Sequence, residues 1–252
     1  MSGSPPASAD QEPVRIAMWS GPRNLSTAMM RSFGNRPDCA VSDEPFYGPY
    51  LLLTGLAHPM RDEILRHHEK DWRTVDRALA GPPPDGKRVW YQKQMTHHML
   101  PEIGRSFMRA ARHAFLIRHP ARVLSSYAKK REAVELDDIG FRQQEALFEE
   151  AASIAGRAPP VVDADAVLAD PKRVLGQLCT ALKIPFSEAM LTWPPGPRDS
   201  DGIWASHWYD TVNRSTSFAS PRPGPRLEDA HLRKLEEQAL PIYDRLAVHA
   251  LR

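Results

Sequence analysis

The residues best suited to chemistry lie in one short stretch near the start of the chain. It consists of Gly21, Pro22, Arg23, Asn24, Leu25, Ser26 and Thr27. The stretch follows an apolar run typical of a buried strand and precedes apolar residues at helical spacing. A strand-to-helix turn leaves backbone N–H groups and the positive end of the helix dipole free, and both attract phosphate or sulfate. We therefore predict an anion site with further donors from Arg23, Ser26 and Thr27. A purely structural turn with a surface arginine is the alternative.

The same turn lacks the residues of the common ATP-binding loop. A Walker loop has a second glycine followed by lysine and a serine or threonine, and residues 21–27 contain neither that glycine nor that lysine. An ordinary ATPase or kinase is therefore disfavoured. A nucleotide-dependent kinase on a related fold stays open, and in it Val161–Asp163 would be a strand that ends in a metal ligand.

A second turn of the same type follows the strand predicted at His113–Ile117. Arg118 stands at the end of that strand, and the proline two positions later fits the first turn of a helix. Ser126 lies two helical turns further on, so its hydroxyl and the Arg118 guanidinium can converge on one phosphate. Arg122 and the basic run Lys129–Arg131 are equally typical of solvated charges.

Groups suited to acid–base chemistry follow two other predicted strands. They are Glu44 after one strand, and Lys93, His97 and His98 after the other. Parallel sheets bind ligands at the carboxyl ends of their strands, so Glu44 could share a crevice with Arg23. A carboxylate or a neutral imidazole can act as a general base, and an ammonium can stabilise a leaving group. A solvated turn acid and core or capping histidines are the alternatives.

Strands and helices are predicted to alternate along the chain. Further strands are expected at Cys39–Ser42, Val89–Gln92 and Val161–Asp163, and helices at 51–80, 141–155, 171–182 and, kinked at Pro241, 227–251. We interpret 51–80 as a substrate-side insertion or lid. The Pro- and Gly-rich stretch 193–226 is expected to dock its aromatic residues over the site. The alternation implies an α/β fold, in which helices cover both faces of a central parallel sheet.

The composition limits the classes of function. With 33 basic and 31 acidic residues among 252, the net charge of +2 gives no general attraction to nucleic acid or to a membrane. Cys39 and Cys179 are expected to be reduced core residues that bind no metal. The sequence shows neither a membrane-spanning run nor a signal peptide, so we expect a cytoplasmic protein. Residues 1–13 are predicted to be disordered, and 14–252 to form one domain.

The two anion loops, in this order, resemble those of the PAPS-dependent sulfotransferase family, in its small bacterial-type branch. Pro22-Arg23-Asn24-Leu25-Ser26-Thr27 is similar to the family's 5′-phosphosulfate loop, Pro-(Lys/Arg)-Ser-Gly-Thr-Thr, with Asn24-Leu25 in place of Ser-Gly. Arg118-His119-Pro120 through Ser126 is similar to its 3′-phosphate element. The segment from Asp163 to Pro171 resembles the family's Tyr-Glu-Asp-Leu-Leu-Ala-Asp-Pro, and Gly202-Ile203-Trp204 resembles its late loop that closes on the nucleotide.

The resemblance implies a three-layer P-loop-like fold and in-line transfer of a sulfuryl group from PAPS, a co-substrate, to a hydroxyl or amine of a small-molecule acceptor. No metal is implied, because a sulfuryl group carries less charge than a phosphoryl group. Arg23 and Lys93 would hold the phosphosulfate and the charge that develops on the bridging oxygen. The other nucleotide-binding residues implied are Gly21, Pro22, Asn24, Leu25, Ser26 and Thr27 around the 5′-phosphate, Arg118 and Ser126 at the 3′-phosphate, and Gly202 and Trp204 in the late loop.

The resemblance leaves the catalytic base open. Such sulfotransferases use either a histidine after a Lys-Thr-His-like strand or a glutamate shortly after the first helix. Here His97 lies two positions further from Lys93 than in that pattern, so we place Glu44 ahead, with His97 or His98 orienting the acceptor or sharing the proton. The acceptor's identity and the oligomeric state, a homodimer included, stay open. A non-catalytic nucleotide-binding protein on the same fold also stays open.

Overall fold

Strands and helices alternate in the computed structural model, which describes residues 12–129 and 134–252. The strands are β1 (Val14–Ser20), β2 (Cys39–Asp43), β3 (Val89–Met95), β4 (Arg112–Ile117) and β5 (Val161–Asp163). The helices are α1 (Ser26–Gly34), α2 (Tyr47–Thr54), α3 (Arg61–His67), α4 (Trp72–Ala80), α5 (Pro120–Tyr127), α6 (Phe141–Ala155), α7 (Ala164–Ala169), α8 (Pro171–Ala181), α9 (Ala205–Trp208), α10 (Asp210–Asn213) and α11 (Ala230–Ala247). Short 3-10 turns lie at Pro84–Gly86, Thr96–His98, Ser106–Ala110, Leu136–Ile139 and Glu188–Leu191.

The strands pair in parallel, in the order β2-β3-β1-β4-β5. The central strand β1 aligns Val14 with Val89 of β3, and Ile16 with Arg112 of β4. Because parallel strands point the same way, all their carboxyl ends lie at one edge of the sheet. The loops that follow β1, β2, β3 and β4 therefore meet at that edge.

Side chains of β1 alternate between two cores, one on each face of the sheet. Ala17 and Trp19 pack into a core shared with α4, α5, α6 and α11, whereas Ile16 and Met18 pack with α1, α2, α3, α7 and α8. All four of these side chains are fully buried. This alternation is the two-residue period of a strand covered on both faces. The predicted three-layer α/β arrangement is confirmed.

Most predicted elements are present, and the differences have local causes. Helix α6 has the predicted bounds, α5 begins at the predicted proline, and the Asp170 side chain caps α8 by accepting from the Arg173 N–H at 3.1 Å. The stretch 51–80 is not one helix: α2 ends at Thr54, where the next residue, Gly55, is left-handed (φ 65°), and α3 and α4 follow. Helix α11 begins later than predicted, because the Asp229 carboxylate caps it by accepting from the Leu232 N–H at 2.9 Å.

The prediction that Lys93 follows a strand is wrong. Strand β3 continues to Met95, and Lys93 pairs in register with Met18 of β1 and Asp43 of β2. A buried lysine inside a strand is costly unless its charge is paired, and here an aspartate lies directly beside it on the next strand. The polar sequence after Gln92 therefore continues the sheet.

Cys39 and Cys179 are free and buried, as predicted. Of the stretch predicted to be disordered, residues 1–11 lie outside the described residues, as do Lys130 and Arg131 of the basic run. Within residues 12–129 and 134–252, no helix is long and apolar enough to cross a membrane.

Candidate active site

The loop between β1 and α1 has a fixed and unusual backbone. Arg23 (φ 62°) and Leu25 (φ 70°) are both left-handed, a conformation that non-glycine residues rarely adopt. Between them the buried Asn24 amide donates to the Leu116 carbonyl oxygen at 3.2 Å, which ties the loop to β4. Gly21 has no room for a side chain, because a Cβ there would lie 2.6 Å from a backbone carbonyl oxygen. The loop is therefore held in one shape by its neighbours.

The two predicted anion loops meet at Arg23. Its Nε donates to the Ser126 hydroxyl at 2.9 Å, and Nη1 of Arg118 donates to the Arg23 carbonyl oxygen at 2.9 Å. Burial lowers the pKa of both guanidinium groups, and for Arg118 the nearby carboxylate of Asp165, at 3.9 Å, opposes this effect. Two partly buried cations, of which only Arg118 has a carboxylate beside it, favour the binding of an anion between them.

Arg122 belongs to the same cluster and is not an ordinary solvated charge. Its side chain is only 17% exposed, and its Nε lies 2.6 Å from the Asp165 carboxylate. Its Nη2 also donates to the Arg222 carbonyl oxygen at 2.6 Å. Arg122 therefore links α5 and α7 to the Pro-rich segment that precedes α11.

Lys93 lies at the centre of a buried polar network. Its Nζ is 3.0 Å from Asp43 Oδ1, 2.8 Å from Glu44 Oε1 and 2.5 Å from the Tyr209 hydroxyl. Burial alone would lower the pKa of Lys93, but Asp43 and Glu44 raise it well above its ordinary value. The ammonium is therefore charged at neutral pH. It also lies 3.4 Å from the Thr27 hydroxyl, so its charge faces the start of α1.

Glu44 and His98 lie side by side at the end of the sheet. The Glu44 side chain is 12% exposed, and its Oε2 is 4.0 Å from Nε2 of His98. Burial raises the pKa of Glu44, although the charge of Lys93 opposes this, and a carboxylate with a raised pKa is a better proton acceptor. Burial, together with His97 and other positive groups nearby, lowers the pKa of His98 well below its ordinary value, so that the imidazole is neutral at pH 7.

These groups line one cleft with two adjoining halves. The acid–base half, with a cavity volume of about 130 Å³, is lined by Glu44, Tyr47, His58, Lys93, His97, His98 and Trp204 among others. The arginine half, with a cavity volume of about 280 Å³, contains Arg118 and Ser126. Both halves share Arg23, Ser26, Thr27, Trp208 and Tyr209. A ligand held by the shared residues would therefore contact the arginine pair on one side and Glu44 and Lys93 on the other.

The sequence matches a family model described as a sulfotransferase domain over residues 14–250, nearly the whole chain. The chain belongs to the sulfotransferase family. The assignment to the sulfotransferase family, made from the two anion loops, is thus confirmed.

Two curated relatives from Arabidopsis thaliana match almost all of this sulfotransferase. Branched-chain-amino-acid aminotransferase-like protein 2 is 35% identical over 235 residues, which are 93% of this chain and 41% of that protein. Branched-chain-amino-acid aminotransferase-like protein 1 is 36% identical over 239 residues, 94% of this chain and 42% of that protein. The chain therefore spans about two fifths of the length of these relatives.

Solved structures of other sulfotransferases show the same fold. The sulfotransferase domain of the curacin biosynthetic pathway is 13% identical (TM-score 0.51; 91% of this chain, 98% of that chain). The sulfotransferase domain of the Synechococcus PCC 7002 olefin synthase is 16% identical (TM-score 0.51; 92% of this chain, 96% of that chain). A sulfotransferase from Alicyclobacillus acidocaldarius is 13% identical (TM-score 0.55; 94% of this chain, 95% of that chain). At these identities the likeness concerns the fold alone, and the predicted P-loop-like architecture is confirmed.

A closing loop, residues 198–213, covers the cleft of the sulfotransferase. Arg31 of α1 and Asp201 form a buried two-pronged ion pair, with Nη2 2.7 Å from Oδ2. The next residue, Gly202, donates its N–H to Asp43 Oδ2 at 3.1 Å. A Cβ on Gly202 would lie 2.1 Å from the ring of Trp204, so glycine is required there. Trp204 is 1% exposed and lines the acid–base half.

The residues predicted for the site of this sulfotransferase fall into two groups. Those that line the cleft are Pro22, Arg23, Leu25, Ser26, Thr27, Glu44, Lys93, His97, His98, Arg118, Ser126 and Trp204. The others, Gly21, Asn24 and Gly202, lie behind it and shape its loops. The ring of His97 lies 4.4 Å from that of His98, so both imidazoles are within the acid–base half.

Two important residues were not predicted, Asp43 and Tyr209. Asp43 carried a usable signal, because it ends β2 at the same edge of the sheet that singled out Glu44. Tyr209 lies in the stretch 193–226, whose aromatic residues were expected to dock over the site, but no local pattern indicated its contact with Lys93, 116 positions earlier. In the described residues, no three His, Cys, Asp or Glu side chains are grouped to hold a metal ion. The absence of a metal requirement stays a prediction.

Acidification should destabilise the fold through His98. Burial lowers the pKa of its imidazole, so between about pH 6.5 and the lower native pKa the unfolded chain binds a proton that the native state does not. The free energy of unfolding therefore falls as the pH falls, by at most about 1.4 kcal/mol per pH unit for this residue. His98→Asn should reduce that slope in urea unfolding between pH 7 and 5. Burial also lowers the pKa of His68 and of His113, but these two residues contribute equally to the slope in both proteins. Equal slopes would contradict this role of His98.

Proposed function

We propose that this sulfotransferase moves a sulfuryl group from PAPS to a hydroxyl or amine of a small-molecule acceptor. The observation that carries the proposal is the shared wall of the cleft. Arg23, Ser26 and Thr27 line both halves, with Arg118 in one half and Glu44 in the other. A donor nucleotide in the arginine half would thereby present its sulfuryl group to an acceptor in the acid–base half.

The arginine half is suited to a nucleotide with phosphates at both ends of its ribose. Arg118 and Ser126 would bind the 3′-phosphate, and Ser26 and Thr27, at the start of α1, would bind the 5′-phosphate with their hydroxyls and backbone N–H groups. Arg23 lies between them, because its side chain reaches Ser126 while its backbone accepts from Arg118. Direct contacts therefore join the groups proposed for the 3′-phosphate to the loop proposed for the 5′-phosphate.

The acid–base half supplies the groups that the transfer needs. Glu44 accepts the proton as the acceptor O–H or N–H bond breaks and the new bond to sulfur forms. The bond between sulfur and the bridging oxygen breaks, and its electron pair stays on that oxygen. Lys93 and Arg23 stabilise the negative charge that develops there. His98, neutral and 4.0 Å from Glu44, can orient the acceptor by a hydrogen bond.

The lining of the acid–base half favours an acceptor without a negative charge. Its cationic lysine and arginine side chains are Lys93, which already contacts two carboxylates, and Arg23, which is shared with the donor side. The remaining wall consists largely of aromatic rings, including Tyr47 and Trp204. A carboxylate or phosphate on the acceptor would lie near the negative charge of Glu44. Among the described residues of this wall, no unpaired lysine or arginine outside the donor side would balance it. A small, neutral, ring-bearing molecule suits this surface.

Replacing Arg118 by alanine should weaken the binding of adenosine 3′,5′-bisphosphate by about 1.5–3 kcal/mol, the usual scale for a charge-assisted hydrogen bond. The fold should tolerate the change, because the side chain lies at the cleft and is 20% exposed. Titration calorimetry measures the affinity. The matched control is Arg142→Ala, since Arg142 is 60% exposed and pairs with Asp137 outside the cleft. Wild-type affinity in Arg118→Ala would remove this arginine from the nucleotide site.

The donor is tested by comparing nucleotides in the same calorimeter. Adenosine 3′,5′-bisphosphate should bind, and ATP with Mg²⁺ should bind far more weakly, because the arginine half is expected to hold a 3′-phosphate. At equal concentration, the ligand with the lower Kd should also raise the melting temperature more. Tight binding of ATP–Mg²⁺ without binding of the bisphosphate would instead support a kinase on this fold.

A further inference from the structure

Asp43, at the end of β2, joins three parts of the molecule through one buried carboxylate. Its side chain is 1% exposed. Oδ1 accepts from Lys93 Nζ at 3.0 Å, Oδ2 accepts from the Gly202 N–H at 3.1 Å, and the Tyr209 hydroxyl lies 2.8 Å from both oxygens. Asp43 thus connects the sheet to both ends of the closing-loop segment 202–209.

Tyr209 completes the coordination of Lys93. An ammonium has three N–H donors, and Nζ of Lys93 has three oxygen partners within 3.0 Å: Asp43, Glu44 and the Tyr209 hydroxyl. The indole N–H of Trp204 also points to the Tyr209 oxygen, at 3.3 Å. Burial and the charge of Asp43 raise the pKa of Tyr209 well above its ordinary value, so its hydroxyl keeps its proton and donates it to Asp43.

We propose that Asp43 and Tyr209 are positioning residues for Lys93: Asp43 holds its ammonium from the neighbouring strand, and Tyr209 completes its placement at the junction of the two halves when the closing loop is docked. The inference rests on the proposed function, in which Lys93 stabilises the bridging oxygen. The two adjacent carboxylates then have different tasks. Glu44 faces the cleft and takes up the acceptor's proton, while Asp43 keeps its contacts with Lys93 and the loop throughout the transfer.

This division of tasks follows from the partners of each carboxylate. Asp43 accepts from Lys93, Gly202 and Tyr209, and the cleft lining does not include it. Glu44 accepts from Lys93, lies 4.0 Å from His98 and lines the cleft. When Glu44 becomes protonated, Lys93 still has a full counter-charge in Asp43. Its ammonium therefore stays in place while charge develops on the leaving oxygen.

Tyr209→Phe is the sharpest test, because it removes one hydroxyl and keeps the ring. Turnover with labelled PAPS should fall about 10- to 100-fold, the effect of losing a hydrogen bond to a charged group. Bisphosphate affinity should stay within about threefold of wild type. Backbone amides of residues 202–213 should exchange hydrogen faster in the absence of ligand, because the loop has lost its link to Asp43 and Lys93. Asp43→Asn should change the same measurements in the same direction.

The matched control is Tyr91→Phe. Tyr91 lies on β3 two positions before Lys93, is fully buried and stacks on Phe33, and its hydroxyl has no hydrogen-bond partner among the described residues. Turnover and loop exchange should stay at wild-type levels in this variant. If Tyr209→Phe behaves like Tyr91→Phe in both measurements, the inference is overturned. A wild-type protein that transfers no label would instead contradict the proposed function, and loop exchange in Tyr209→Phe would still show whether the hydroxyl holds the loop.

Discussion

Glu44→Gln should reduce turnover about 10²- to 10⁴-fold and leave bisphosphate affinity near wild type. The substitution keeps the shape of the side chain and its contact with Lys93 but removes its ability to accept a proton. Glu44 lines the acid–base half and burial raises its pKa, so it has both the position and the basicity for this task. Steady-state rates with labelled PAPS, combined with calorimetry, measure the two effects separately.

His97→Asn and His98→Asn are the comparisons that decide which group is the base. If Glu44 takes the proton, both asparagine variants should keep a larger share of turnover than Glu44→Gln, with the main loss in the Michaelis constant for the acceptor. Loss of turnover in one histidine variant, with near wild-type turnover in Glu44→Gln, would reverse the assignment. His98 would be the first candidate then, because its Nε2 lies 4.0 Å from Glu44.

Lys93→Met should abolish most of the activity and also weaken the fold. Turnover should fall about 10²- to 10³-fold, because the charge that stabilises the developing oxyanion is lost. Asp43 and Glu44 would lose their shared counter-charge, and breaking a buried pair in this way costs about 3–5 kcal/mol. Protonation of Glu44 relieves part of that loss, since burial raises its pKa. Urea unfolding and single-turnover rates measure the two effects.

Lys93→Arg separates charge from position. It keeps a positive charge for the two carboxylates, so its free energy of unfolding should lie closer to wild type than that of Lys93→Met. The planar guanidinium cannot reproduce the three contacts of a compact ammonium, so turnover should remain low. If Lys93→Met is as stable and as active as wild type, Lys93 has no part in the transfer.

The fold and the arginine half of the cleft could be predicted because their signals are local. Each anion loop is a strand, a turn and the start of a helix within about 15 residues, and the parallel sheet brings both turns to one edge. Arg23, Arg118 and Ser126 therefore converge as the sequence indicated. Asp165, the partner of Arg118, also lies close to a predicted strand end, but no local pattern shows that it faces Arg118.

The acid–base side was harder to predict, because it depends on register and on distant contacts. Whether Lys93 follows β3 or lies inside it depends on where that strand ends. Only the pairing of Lys93 with Asp43 on β2 shows that Lys93 lies inside the strand. The 3-10 turn Thr96–His98 sets the direction in which the side chains of His97 and His98 point. The spacing between Lys93 and His97 in the sequence does not predict this turn. Tyr209 reaches Asp43 across 166 positions through the docked closing loop.

Transfer of ³⁵S from labelled PAPS in a broad screen of small acceptors tests the central claim most directly. The account predicts that wild-type protein labels a neutral alcohol, phenol or amine. It also predicts that Glu44→Gln, which still binds the bisphosphate, labels the same acceptor far more slowly. If the wild-type protein binds adenosine 3′,5′-bisphosphate but labels no acceptor in such a screen, the cleft is a nucleotide-binding site without transfer, and the account is contradicted.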